Sequence, residues 1–315
     1  MFAHEFLFDP TYGYDDAALL RVPAPVGPAD FAEFWRATFG QAMAVTLNLS
    51  MRRIESPRAD TELYEVEYDS LDGVRIGGWL TRPADGVVQR GVVVGHGYGG
   101  REAPDFNLPG PPAATLQFCA RGFHRSARAD LPDLAARHVT HGIDDRRRYI
   151  IRGCVADVWL AASALLAWMP QTAGNLHYHG RSFGGGLGAL ALPWDCRFAR
   201  AYLHVPTFGN QPLRVTLTCN GSGHWVTRYW REHPQVLDEV LAYYDAATAA
   251  RHIHIPVLVS VARFDPAVPP PGQCAVYNGL PGPRQLVWFE AGHFGYPNEA
   301  KDNEQLNAAL CRFFS

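Results

Sequence analysis

The chain has 315 residues, 47% hydrophobic and 19% charged, with a formal net charge of −3, enough apolar side chain for one elaborated domain with a sizeable core. A charge this close to balance excludes the strongly basic face that a nucleic-acid partner requires. No apolar run is expected to cross a membrane, and Met1 to Pro10 shows neither a basic leader nor a signal-like apolar core, so a soluble cytoplasmic protein is expected.

Residues 1–60 carry Pro10, Pro23, Pro25 and Pro28, followed by Ala29-Asp-Phe-Ala-Glu-Phe-Trp-Arg-Ala-Thr38. Asp30 is placed to cap a helix there, with Phe31, Phe34 and Trp35 at helical spacing. This stretch is expected to form an arm packed on a main domain of residues 61–315. Alternation through Tyr64-Glu-Val-Glu-Tyr68, a turn at Asp72-Gly73 and a second run to Thr81 predict an antiparallel hairpin. Gly91-Val-Val-Val-Gly95 reads as a parallel strand covered on both faces. It breaks at His96-Gly-Tyr-Gly-Gly100. Residues 101–142 carry Pro104, Pro109, Pro111 and Pro112 and read as loop-rich, whereas Ile150 to Met169 predicts a long helix with one apolar face.

That helix leads into Asn175-Leu-His-Tyr-His-Gly-Arg-Ser-Phe-Gly-Gly-Gly-Leu-Gly188, read as strand, sharp turn and helix start. Its centre, Gly180-Arg181-Ser182-Phe183-Gly184, is the G-x-S-x-G pattern. A strained turn that lifts a serine hydroxyl above a sheet needs small residues two before and two after it, because a Cβ there would strike neighbouring backbone. The following helix would aim free N–H groups and its positive dipole end at the place where an ester oxygen becomes negative. The bland alternative is a tight turn with a buried serine. In folds that use this pattern one oxyanion donor is the N–H after the serine, here Phe183, and the other comes from the loop after an early central strand, here Tyr98. A plain glycine turn is the alternative for Tyr98, and His96 itself is assigned a structural role.

Further on, Ile255-Pro-Val-Leu-Val-Ser-Val-Ala262 is another buried-strand run and ends at Arg263-Phe-Asp265-Pro. A carboxylate at the end of a late central strand is where the acid of a Ser–Asp–His order belongs, so Asp265 is the candidate. Asp245, read as lying inside a helix, is the second choice. His293, in Ala291-Gly-His-Phe-Gly295, is the only histidine after Asp265, which leaves one solution for the base. The pairs His177/His179 and His252/His254 have i, i+2 spacing but no completing carboxylate or cysteine set, so neither a metal nor an organic cofactor is expected. The six cysteines contain no C-x-x-C pair and are expected to be reduced. The aromatics Trp225, Tyr229, Trp230, Tyr243 and Tyr244 are assigned to core or subunit contact rather than to sugar stacking.

The helix and elbow, together with Ala29-Asp-Phe-Ala-Glu-Phe-Trp35, Asp72-Gly-Val-Arg-Ile-Gly-Gly-Trp-Leu80, Gly95-His-Gly-Tyr98 and Gly142-Ile-Asp-Asp-Arg-Arg-Arg-Tyr-Ile-Ile-Arg152, resemble the acetylxylan esterase and cephalosporin C deacetylase family, carbohydrate esterase family 7. The resemblance covers nearly the whole chain in order. It implies an α/β-hydrolase fold, a mostly parallel sheet flanked by helices with an N-terminal arm, acting on acetylated sugars or related small esters, often as a ring-like hexamer. It also implies that Pro206 borders the pocket for the acyl group. Three departures stand out: Phe183 after the serine, where a more apolar site is expected; Phe123-His124 after Arg121-Gly122; and Phe294 after His293. The competing readings are a broader or dienelactone hydrolase-like esterase and a catalytically silent fold used for binding.

Overall fold

The computed structural model describes residues 2–315. Nine strands form one sheet: β1 (Ser50–Ile54), β2 (Thr61–Ser70), β3 (Val74–Pro83), β4 (Arg90–Val94), β5 (Ala113–Phe118), β6 (Leu176–Arg181), β7 (Phe198–His204), β8 (Val257–Phe264) and β9 (Arg284–Ala291). Their order across the sheet is β1-β2-β3-β5-β4-β6-β7-β8-β9. The pairs from β1 through β3 to β5 are antiparallel, and every pair from β5 to β9 is parallel. This is the α/β-hydrolase architecture that the motif order implies.

The hairpin forms as its alternation predicts, and its turn places both Asp72 (φ 63°) and Gly73 (φ 68°) in the left-handed region, the turn geometry that matches strand twist. Strand β5 lies inside the stretch read as loop-rich. Its Ala-Ala-Thr-Leu-Gln-Phe sequence has little β-branching, and what makes it a strand is the slot between β3 and β4, which satisfies both backbone edges. The expected arm also contributes to the sheet, because Ser50–Ile54 is the edge strand β1.

Alternation along β8 shows how the two faces are filled. Val257, Val259 and Val261 join the larger core with the helices Phe31–Met43, Ile150–Trp168, Phe183–Ala191 and Pro270–Gly279. Leu258, Ala262 and Phe264 join the other cluster, under the terminal helix Glu299–Phe314. The helix Ile150–Trp168 is long and apolar enough to cross a membrane, which corrects the expectation that no run has that length. Here the sheet and neighbouring helices bury it. Trp159 on this helix meets Phe39 edge to face at 5.1 Å, and Trp35 donates its indole N–H to the Tyr243 carbonyl at 2.8 Å. Tyr243 and Tyr244 therefore belong to the core, as expected. Asp30 does not cap its helix; its carboxylate accepts from the Tyr243 hydroxyl and lies 3.5 Å from Arg146.

One buried ion pair ties the hairpin, the turn after β5 and the long helix together. Asp157 is fully buried and takes two guanidinium bonds from Arg121, at 3.0 and 2.7 Å. Its carboxylate also accepts from Ser70 at 2.6 Å, and Arg121 donates to the Leu71 carbonyl at 3.1 Å. Gly153 leaves room for the guanidinium, which a Cβ would strike. Asp157→Ala should therefore destabilise the fold by about 3–5 kcal/mol, because the buried Arg121 charge loses its two direct carboxylate bonds and keeps only the Asp72 carboxylate at 3.9 Å. Urea unfolding measures this, and a loss below about 1 kcal/mol would show that the pair does not hold the junction.

Candidate active site

Ser182 stands between β6 and the helix Phe183–Ala191 with φ 53° and ψ −110°, a conformation that costs a non-glycine residue about 1–3 kcal/mol. The surroundings hold it there. Its N–H donates to the His204 carbonyl at 2.8 Å, its own carbonyl accepts from Gly186 at 3.0 Å, and the Gly184 N–H donates to the His96 carbonyl at 2.8 Å. A Cβ on Gly180 would strike the Gly184 carbonyl, and one on Gly184 would lie 2.8 Å from the backbone of Gly95. The glycine spacing thus follows from the close approach of three backbone segments.

The residues singled out along the sequence meet at this turn. His293 Nε2 lies 3.0 Å from Ser182 Oγ, and His293 Nδ1 lies 2.8 Å from Asp265 Oδ2. Asp265 has no exposed side-chain surface. Its Oδ1 accepts from the N–H groups of Ala267 and Val268, both at 2.9 Å, and its Oδ2 also accepts from Gln273 at 3.0 Å. Because the carboxylate only accepts, the proton in its contact with His293 sits on Nδ1, which leaves Nε2 with a lone pair toward the serine. Gly292 permits this approach, since a Cβ there would lie 2.5 Å from Asp265 Oδ2.

The two expected oxyanion donors flank the serine. Phe183 N–H opens the helix and Tyr98 N–H lies in the glycine turn after β4; among the described residues neither donates to a protein acceptor. Gly97 brings this turn to the serine: a Cβ on Gly97 would lie 3.8 Å from Ser182 Cβ. The Phe183 ring does not make the site apolar. It is buried, stacked on Tyr98 at 4.1 Å and edge-on to Phe208, beneath the turn rather than in the cleft.

Ser182 and His293 open into a cleft of about 780 Å³. Pro206 does not line it. That residue is buried against Gly185, beside a separate small cavity with Phe208 and Val268. The other departures also lie outside the cleft: Phe123 packs on His96 and Phe183, and Phe294 on Phe2, Phe6 and Phe264. Asp245 is not a rival acid and not inside a helix. It caps Ala246–Ala250 through the N–H groups of Ala247 and Thr248, at 2.9 and 2.8 Å. Desolvation raises its carboxyl to about 6.

Sequence reasoning missed several residues that shape the site. Gln273 holds Asp265 and donates to the Val268 carbonyl at 2.7 Å; a glutamine in a proline-started helix gives no spacing signal. From the arm, the Pro10 carbonyl accepts the Asp265 N–H at 3.0 Å, and Asp16 holds Arg263 through two bonds of 2.7 and 2.8 Å. These contacts join chain segments 247 or more residues apart, beyond any local pattern. His96 is structural, as assigned: Nδ1 meets the Gly97 carbonyl at 2.7 Å and Nε2 accepts the Ala120 N–H at 2.9 Å. His177 and His179 stack on Phe314 at 4.9 and 4.6 Å.

The acetyl xylan esterase (AXE1) family model matches residues 22–309. The acetyl esterase Axe7A of Xylanibacter ruminicola is 21% identical over 286 residues, 85% of this chain and 64% of that protein, so the chain spans about two-thirds of the length of this curated relative. The acetyl xylan esterase from Paenibacillus sp. R4 superposes with a TM-score of 0.79 at 24% identity, covering 94% of this chain and 99% of that one. Acetyl xylan esterase 1 from Thermoanaerobacterium sp. JW/SL YS485 superposes with a TM-score of 0.79 at 18% identity, covering 98% and 100%. At these identities the two structures show the shared fold.

Buried histidines make the fold acid-sensitive. Desolvation first lowers His96, His177 and His204 to about 3 and His138 to about 4, and pushes His179 well below its ordinary value of 6.5. Once unfolded, all five titrate near 6.5, so between that value and about 3 the unfolded chain binds more protons and stability falls as pH falls. Asp245 works in the opposite sense between 3.8 and about 6, one group against five. Urea unfolding at pH 7 and pH 5.5 should show a loss of more than about 1 kcal/mol. Equal stability at the two values would contradict the buried, neutral imidazoles.

Proposed function

We propose, since the chain belongs to the acetyl xylan esterase family, that it is a serine carboxylic-ester hydrolase removing acetyl groups from acetylated sugars or related small esters. The observation that carries the reading is the unbroken chain Ser182 Oγ, His293, Asp265, with contacts of 3.0 and 2.8 Å.

In this reading Ser182 Oγ attacks the ester carbonyl while His293 Nε2 takes its proton, and the carbonyl oxygen gathers negative charge between the N–H groups of Tyr98 and Phe183. Asp265 stabilises the imidazolium through Nδ1–H. His293 then passes the proton to the departing alkoxide, leaving an acetyl ester on Ser182. Water enters, His293 removes its proton, and the same steps in reverse order release acetate and restore the serine. Each oxyanion donor is worth about 10²–10³ in rate, because it is aimed at the charge before the charge forms.

A second reading, an esterase of broader acyl specificity, has one observation in its favour: neither Phe183 nor Pro206 narrows the cleft. The reading of a binding-only fold is opposed by the strained Ser182 backbone, which serves no evident purpose without a reactive hydroxyl. The free cysteines, with four of the six buried, support a reducing compartment such as the cytoplasm. A homo-oligomer, hexameric by the family resemblance, is proposed for the assembly; sedimentation velocity checks it.

Ser182→Ala should lower kcat on p-nitrophenyl acetate on the order of a thousandfold or more with the circular dichroism spectrum intact; comparable turnover would remove Ser182 from the mechanism. Fluorophosphonate should label the wild type, and a protein that stays unlabelled would support the binding-only fold. Across p-nitrophenyl acetate, butyrate and octanoate, a fall in kcat/KM with acyl length would support the acetyl-specific reading. A flat series would favour the broader esterase.

A further inference from the structure

We propose that Arg181 and His204 form an anion subsite in the cleft, so that the preferred substrate is an ester bearing a carboxylate; this inference rests on the esterase reading above. Arg181 and His204 are direct partners across the parallel β6–β7 pair, as are His179 and Tyr202 two residues back. Neighbours in register project from the same face of a sheet. All four residues line the cleft that contains Ser182.

The hydrogen bonds along this wall engage His204 through Nδ1. The Tyr202 hydroxyl has Ser260 Oγ as its partner, at 3.0 Å, and Ser260 Oγ lies 2.5 Å from His204 Nδ1. In the proton order Tyr202 to Ser260 to His204 Nδ1, one of the two that these contacts allow, the ring proton belongs on Nε2. Among the described residues that Nε2 has no protein partner. Burial first, and the Arg181 charge second, hold this imidazole neutral, so it offers an N–H donor and adds no charge.

Arg181 supplies the charge. Its side chain is exposed in the cleft, one residue before the serine, and among the described residues it makes no ion pair or hydrogen bond. The other arginine of the cleft, Arg101, is engaged with Gln117 at 2.8 Å. The cleft's two carboxylates, Glu102 and Asp105, lie in the loop beyond Tyr98 and neither pairs with Arg181. A free guanidinium beside a neutral N–H donor suits a planar oxyanion, which can take two guanidinium bonds and one from the imidazole. A neutral sugar hydroxyl gains much less from a guanidinium.

Isosteric acid and amide pairs test this. In the alcohol arm, O-acetyl-lactate is compared with O-acetyl-lactamide; in the acyl arm, monophenyl adipate with phenyl adipamate. The acid of at least one pair should have roughly tenfold or higher kcat/KM than its amide, and the arm that responds identifies which half of the ester carries the anion. Arg181→Gln should bring that ratio close to one, Arg181→Lys should retain part of it, and His204→Phe should reduce it. Added salt should also shrink it, an arm that needs no variant to fold. A wild-type ratio near one in both arms, or a ratio that survives Arg181→Gln, overturns the subsite. Ser182-dependent hydrolysis of either amide supports the esterase reading whatever the ratio. If no ester is hydrolysed, the esterase reading fails by itself. Calorimetric titration of Ser182→Ala with O-acetyl-lactate against its amide then reads the anion preference directly, and equal affinities overturn it.

Discussion

A serine backbone at φ 53°, ψ −110° exists only where several elements press it into place, and the rest of the molecule is arranged to do so. Three backbone segments converge on it: the end of β6, the start of the following helix and the turn after β4. Glycines at 95, 180 and 184 allow their contact, and the His204 and His96 carbonyls fix the position of the turn. The strain is therefore supported by sheet and helix packing rather than by the site itself. The same convergence leaves the Phe183 and Tyr98 N–H groups without protein acceptors among the described residues.

Around this turn, the burial of charge follows one rule: each buried ion is surrounded by fixed donors or acceptors. Asp265 receives two backbone N–H groups, the Gln273 amide and His293, so its orientation does not depend on solvent. Asp157 receives Arg121 and Ser70. Buried imidazoles without a carboxylate partner are kept neutral by desolvation, as with His177 and His179, which stack on Phe314. His293 has 23% of its side chain accessible and engages both Asp265 and Ser182 through its two ring nitrogens.

The N-terminal stretch is more closely involved in the site than an external arm would be. The Pro10 carbonyl holds the Asp265 backbone, Asp16 holds Arg263 at the end of β8, and Phe2 and Phe6 pack on Phe264 and Phe294, which flank the acid and the base. Phe294 thus serves the packing between the two loops.

Local chemistry makes much of this legible in the order of residues. Glycines flanking Ser182 report a close backbone approach, apolar runs ahead of Asp265 and His96 report buried parallel strands, and chain order leaves His293 as the single candidate base. What is not legible there depends on partners distant in sequence. Strand β5 is created by its neighbours β3 and β4, Gln273 is recruited by Asp265, and Phe183 points beneath the turn instead of into the cleft. The pairing of Arg181 with His204 follows from strand register. By itself the sequence determined which residues can carry the chemistry and in what order, because those requirements are written in side-chain type and local spacing. Only the tertiary structure decided which side chains face the cleft, since burial and hydrogen-bond partners are properties of packing between segments far apart along the chain.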